Sequence, residues 1–95
     1  MNPIKLNKRQ FEYFNDCDSN FIFKEEMDKV VNAISEEERN NFNYEQFIAQ
    51  KTKELFKTYD HIIVTKDDKI YGVNGSDVVF IKETESAFEC AQQVK

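Results

Sequence analysis

The sequence predicts an α+β fold: a three-strand antiparallel β-meander packed against an N-terminal three-helix segment, plus a C-terminal helix. Three observations predict it. β-branched residues dominate only over His61–Lys82, HIIVTKDDKIYGVNGSDVVFIK, where turn formers recur at regular intervals. Upstream of that stretch, apolar residues recur at helical spacing. Helices and strands are also segregated along the chain rather than alternating, the mark of an α+β rather than a doubly wound arrangement.

The 95 residues are expected to form a single domain, 1–95. A chain this short buries only roughly 60–65% of the surface it exposes when unfolded, so its core must be economical. Nine Phe and four Tyr supply much buried area for little chain.

Met1–Leu6 reads as a short lead containing Pro3, with Ile4 or Leu6 close enough to pack on the first helix. Asn7 caps that helix, Lys8 to about Asp16, and Gln10 at the third helical position completes a capping-box pattern. Phe11 and Phe14 share one face of it. The turn formers Asn15-Asp16-Cys17-Asp18-Ser19-Asn20 end it.

A second helix, about Phe21 to Ile34, takes Ser19 or Asn20 as its cap. Phe23, Met27, Val30, Val31 and Ile34 form one apolar stripe, which predicts a core-facing helix. Ser35 then caps a single turn led by Glu36, Glu37 and Glu38, acids placed where a helix start favours them. Asn43 caps a third long helix, Tyr44 to about Tyr59. Its broad stripe is Phe47, Ile48, Leu55, Phe56 and Tyr59, with Lys51, Lys53 and Lys57 lying off it.

In the meander, Ile62–Val64, Ile70–Val73 and Val78–Ile81 are strands. Lys66–Lys69 and Asn74–Asp77 are the turns, and Asn74-Gly75 is a strong hairpin signal. Alternation of Tyr71 and Val73 with Ile70, Gly72 and Asn74 predicts one buried and one wet face. Thr84 or Ser86 caps a final helix with Ala87, Phe88, Ala91 and Val94 on one side.

Function is bounded mainly by exclusion. A net charge of −5 argues against nucleic acid as the partner and against adsorption to anionic lipid. No stretch approaches the roughly 20 apolar residues of a membrane span. The first ten residues carry Lys5, Lys8 and Arg9 but no apolar run, so no secretory signal is read. Cytoplasmic placement with two reduced thiols, Cys17 and Cys90, is the expectation, and a Cys17–Cys90 disulfide stapling the two ends is the alternative.

Chemistry is sparse. Cys17 with His61 and Asp60 provides the residue types of a thiol enzyme, but Cys17 follows a helix instead of starting one, so no helix dipole activates it. One His and two remote Cys make no zinc set. The acidic run from Asp16 lacks the Gly and Glu of a calcium loop, with Phe21 and Met27 in their places. Gly72 and Gly75 precede no helix, so no phosphate loop is read. No catalytic residue, metal or cofactor is assigned.

Two surfaces remain. From Phe11 to Phe42 nine acids stand against three bases, a net −6. Glu25, Glu26, Asp28, Glu36, Glu37 and Glu38 could imitate a phosphate row and occupy a basic groove. The expected function is thus that of a small acidic non-catalytic interaction protein. It would be an inhibitor or modulator docking on a basic, nucleic-acid-binding surface of a partner protein, of the kind carried by phages and mobile elements, by association only. The alternative is a winged-helix-like regulator reading DNA with Gln50, Lys51, Lys53 and Lys57 of the third long helix. Against it, Asp67 and Asp68 sit at the tip of its wing. A homodimer through a sheet edge is a further expectation, if the first or third meander strand is open.

Overall fold

The computed structural model describes residues 2–17 and 22–94. Element order is β1 (Ile4–Leu6), α1 (Lys8–Asn15), α2 (Lys24–Ala33), α3 (Glu36–Asn40), α4 (Tyr44–Thr58), β2 (His61–Val64), β3 (Lys69–Asn74), β4 (Asp77–Glu83) and α5 (Ala87–Val94). The α+β class holds, but the sheet has four antiparallel strands in the order β1-β2-β3-β4, not three. The lead segment is itself a strand. Ile4 pairs with Val64 and Leu6 with Ile62, which turns both apolar residues inward and Lys5 outward. Three residues are too few for a period-two pattern to stand out in sequence.

One face of this sheet is the floor of the core. Ile4, Leu6, Ile62, Val64 and Ile70 point to it and are buried. Phe11 and Phe14 of α1 and Ala87, Phe88 and Ala91 of α5 close over it. Phe11 is the centre of an aromatic cluster, with ring centroids 6.0 Å from Phe14, 6.2 Å from Phe23 and 5.5 Å from Phe56. Tyr59, just past α4, lies flat on Gly72. A Cβ there would meet the tyrosine ring at 2.6 Å, so glycine is required by the close approach.

Helix starts follow the local chemistry read from sequence. Asn7 and Gln10 form a reciprocal capping box, as do Ser35 and Glu38, and the Asn43 side chain accepts from the Gln46 amide. α2 is different. It begins at Lys24, later than expected, and Phe23 precedes it without a side-chain cap; Ser19 and Asn20 lie outside the described residues.

The expectation that α2 faces the core is overturned. It has no buried residue. Ile22 and Phe23, just ahead of it, reach the core, and Val30 is 38% exposed. The core face of the sheet is already covered by α1, α5 and the end of α4, so the stripe of α2 lies along α3 and the first half of α4 instead. With α3 it forms an arm, and the molecule extends 47 Å along one axis against 25 and 20 Å across.

A second correction concerns the thiols. Cys17 and Cys90 form a disulfide, with Cα atoms 6.6 Å apart and 73 positions separating them in the chain. α1 packs on α5, which brings the segment after α1 against the buried face of α5, within disulfide reach. Nothing local in the sequence announces a pairing over that separation.

Both meander turns are tied down. Gly75 has φ +61° and Ser76 does not share it, so the two-residue loop is Gly75-Ser76 with Asn74 still in the strand. That is the pattern of a type II′ turn, whose first central residue is glycine. The Gly75 amide donates to the Asp60 carboxylate at 3.0 Å. Asp68 takes a left-handed conformation (φ 65°) after the other turn. Its carboxylate accepts from the Phe88 amide at 3.0 Å and its carbonyl from the Thr84 amide at 3.1 Å. Asp68 therefore satisfies an orphan donor in the first turn of α5 across twenty residues of chain.

Candidate functional site

The arm is where the acids gather. α2 and α3 meet through Arg39, whose guanidinium donates to the Val31 carbonyl at 2.7 Å and the Asn32 carbonyl at 3.4 Å. One cation thus satisfies the unpaired carbonyls at the end of α2, where the helix dipole favours positive charge. Between α2, α3 and the first half of α4 runs an open groove. Val30, Ile34, Phe42 and Phe47 line its floor, and Glu37, Glu38, Asn41, Gln46 and Gln50 its rim. Phe42 packs edge-on against Tyr44 (4.9 Å) and tilted against Phe47 (5.7 Å), which fixes the aromatic end. An apolar floor with an acidic rim can accept a segment that is itself both apolar and basic.

The six acids singled out in the sequence divide by what they do. Glu26 is 3.0 Å from Lys51, and Glu25 is 3.8 Å from Lys82 of β4, so both brace α2 against the rest of the fold. Glu38 is engaged in its capping box with Ser35. Asp28, Glu36 and Glu37 are exposed on α2 and α3. The structure therefore spreads the six over the arm rather than gathering them into one cluster.

The basic residues of α4 are likewise divided. Lys51 faces Glu26, with Glu54 at 3.8 Å and the Phe47 ring centroid at 5.7 Å below it. The hydrogen bond that Lys51 donates to the Glu26 carboxylate is the main reason its ammonium titrates above the ordinary lysine range. Gln50 donates to Glu54 at 3.3 Å. Lys53 and Lys57 are exposed.

Cys17, His61 and Asp60 do not assemble. Cys17 is bonded to Cys90, His61 pairs with Val73 across the β2–β3 ladder, and Asp60 holds the Gly75 turn. Among the described residues no three metal-ligating side chains converge, and no helix is long and apolar enough to cross a membrane. At the β2–β3 turn the Thr65 hydroxyl donates to Asp67, and this bond, more than the nearby Lys69, holds the Asp67 carboxyl below its usual range. Lys69, 3.4 Å from Asp67, is raised in turn.

A second cleft lies between α1 and α4, lined by Glu12, Asn15, Asp16, Tyr44, Glu45, Ile48 and Thr52. Asn15 is buried there. Its side-chain carbonyl accepts from the Ile22 amide at 3.3 Å, while among the described residues its amide nitrogen has no hydrogen-bond partner. No sequence pattern points to this cleft, because its carboxylates come from helices about thirty residues apart in the chain.

The outer face of the sheet also departs from expectation. It is uncovered by the described residues, as expected, but it is not wholly polar: apolar side chains lie beside Lys5, His61 and Lys69. Ile63, Tyr71 and Val73 are half-buried beside one another, and Val78 and Phe80 continue the row at 57% and 54% exposure. The run Val78-Val79-Phe80 is the signal that could have flagged it, since alternation with polar residues fails there. Comparison with protein-family models, curated proteins and solved structures finds no match for this chain.

Proposed function

We propose that this chain is a non-catalytic interaction protein. Its α2–α3 arm and the groove against α4 dock on a basic surface of a partner protein, acting as an inhibitor or modulator. One observation carries the reading: an amphipathic helix, α2, is held at the surface with no residue buried, its apolar side opening into a groove rimmed by Glu37 and Glu38. A helix stripe left half-covered in a chain with so small a core suits a surface completed by a partner. The net charge of −5 favours a basic occupant and disfavours nucleic acid itself.

Association would be steered by Asp28, Glu36 and Glu37, the acids not used as braces or caps. The test is capture of binding partners from the native host, then association kinetics with wild type and a D28K/E36K/E37K variant. The on-rate should fall by about an order of magnitude in the variant and should fall with salt in the wild type. A partner whose on-rate ignores both changes would sink the electrostatic reading. In a cytoplasmic setting Cys17 and Cys90 would be kept reduced, so the arm must then dock from a fold lacking that bond.

A further inference from the structure

We propose that β4 pairs antiparallel with β4 of a second copy of this chain, about a twofold axis at Val79. This stands apart from the acidic arm and rests on the sheet's two unequal edges. β1 is blunt: three residues, with Pro3 ahead of it and Lys5 in its middle. β4 is seven residues long and lies at the other end of the strand order. Val78, Val79 and Phe80 on it are exposed to 57%, 44% and 54%.

The register is set by which backbone groups are free. The Val73 carbonyl accepts from the Asp60 amide at 2.7 Å, on the β2 side, so Val73's polar groups point away from β4. Val73 and Val78 are then a non-hydrogen-bonded pair, Gly72 and Val79 a bonded one, and Tyr71 and Phe80 again non-bonded. The amides and carbonyls of Val78 and Phe80 therefore point outward. Centring two copies on Val79 sets each Val78 opposite Phe80 of the other copy and makes four new backbone hydrogen bonds. A centre on Phe80 would set Asp77 against Glu83 twice, and a centre on Val78 would draw the Gly75-Ser76 turn into the ladder. In the Val79 register Asp77 instead lies at the end of the ladder carrying Lys82 of the second copy.

Side chains agree with that register. Val78 and Phe80 are on the outer face with Tyr71 and Val73, and Tyr71 already packs edge-on to Phe80 at 5.7 Å. Pairing joins the two apolar rows into one across the axis. The Ile81 bulge, opposite the Ile70/Tyr71 step, limits the ladder and discourages open-ended stacking.

Sedimentation of the full chain tests this, using wild type, V79K, V79E and an equimolar mixture of the two variants. Wild type should be a dimer in the micromolar range. Each variant alone sets like charges opposite each other and should weaken association by at least about tenfold; the mixture should restore a dimer. Backbone amide exchange on wild type gives a readout that needs no variant. Val78 and Phe80 should gain protection as protein concentration rises, while Val79, bonded within its own sheet, should not. A wild type monomeric at high micromolar concentration, open-ended polymers, or a mixture no tighter than its components would overturn the proposal.

Discussion

The packed end of the molecule and its arm are built from the same kind of element and behave oppositely. α1 carries Phe11 and Phe14 on one face, both fully buried under the sheet and α5. α2 and its C-cap carry a longer stripe, Met27, Val30, Val31 and Ile34, and none of the four is fully buried. A stripe says that a helix has an apolar side. What lies against that side depends on which element reaches the sheet first, and here the capping box of α1, the short strand before it and α5 take the place.

The sharpest way to break this contrast is to shorten one residue on each side. Phe14→Ala should cost about 3–5 kcal/mol, because it removes a fully buried ring and leaves a cavity. Val30→Ala, in the same class of stripe, should cost no more than about 0.5 kcal/mol, as for a surface position. Urea unfolding of the two variants measures both. A Val30 loss near that of Phe14 would mean that α2 belongs to the core after all.

The disulfide is the next largest lever and acts only at the packed end. It closes 73 positions of chain, so loop-closure entropy assigns it about 4 kcal/mol of stability against the reduced form. A C17S/C90S variant should lose about that much in urea. Its arm should be unaltered in amide exchange, apart from the effect of global unfolding, because no cysteine touches α3 or the groove.

How far the sequence reached divides along the same line. Caps, turns and helix stripes are local, and those at Asn7, Ser35 and Asn43 and the turn at Gly75 were all legible. Non-local features were not: the β1 pairing of Ile4 and Leu6, the Cys17–Cys90 bond, and Asp68 reaching Phe88. Each joins segments whose proximity exists only once the sheet has formed. The acids of the arm were legible as a group, but not their division into braces, caps and exposed charge. That division depends on Lys51, Lys82 and Ser35 being near.

The smallest effect sharpens the contrast most, because it asks what holds the arm. The packed end is held by apolar burial, whereas α2 is fastened by exposed pairs, Glu26 with Lys51 and Glu25 with Lys82. Such pairs contribute little to global stability, yet they can govern local opening of a weakly packed helix. Glu26→Gln should speed amide exchange across α2 by a few-fold, about what an exposed pair allows, and leave β2 and β3 unchanged. Salt should do the same in wild type and much less in the variant. Alkali gives an independent handle. The pair with Glu26 raises the Lys51 ammonium, so its contribution is fully present below the ordinary lysine range, about pH 10, and is lost only as pH rises through the raised value. Exchange rates in α2, corrected for the intrinsic pH dependence, should therefore be flat through neutral pH. If Glu26→Gln left them unchanged while Phe47→Ala raised them, the floor of the groove and not the ion pair would be what keeps the arm in place.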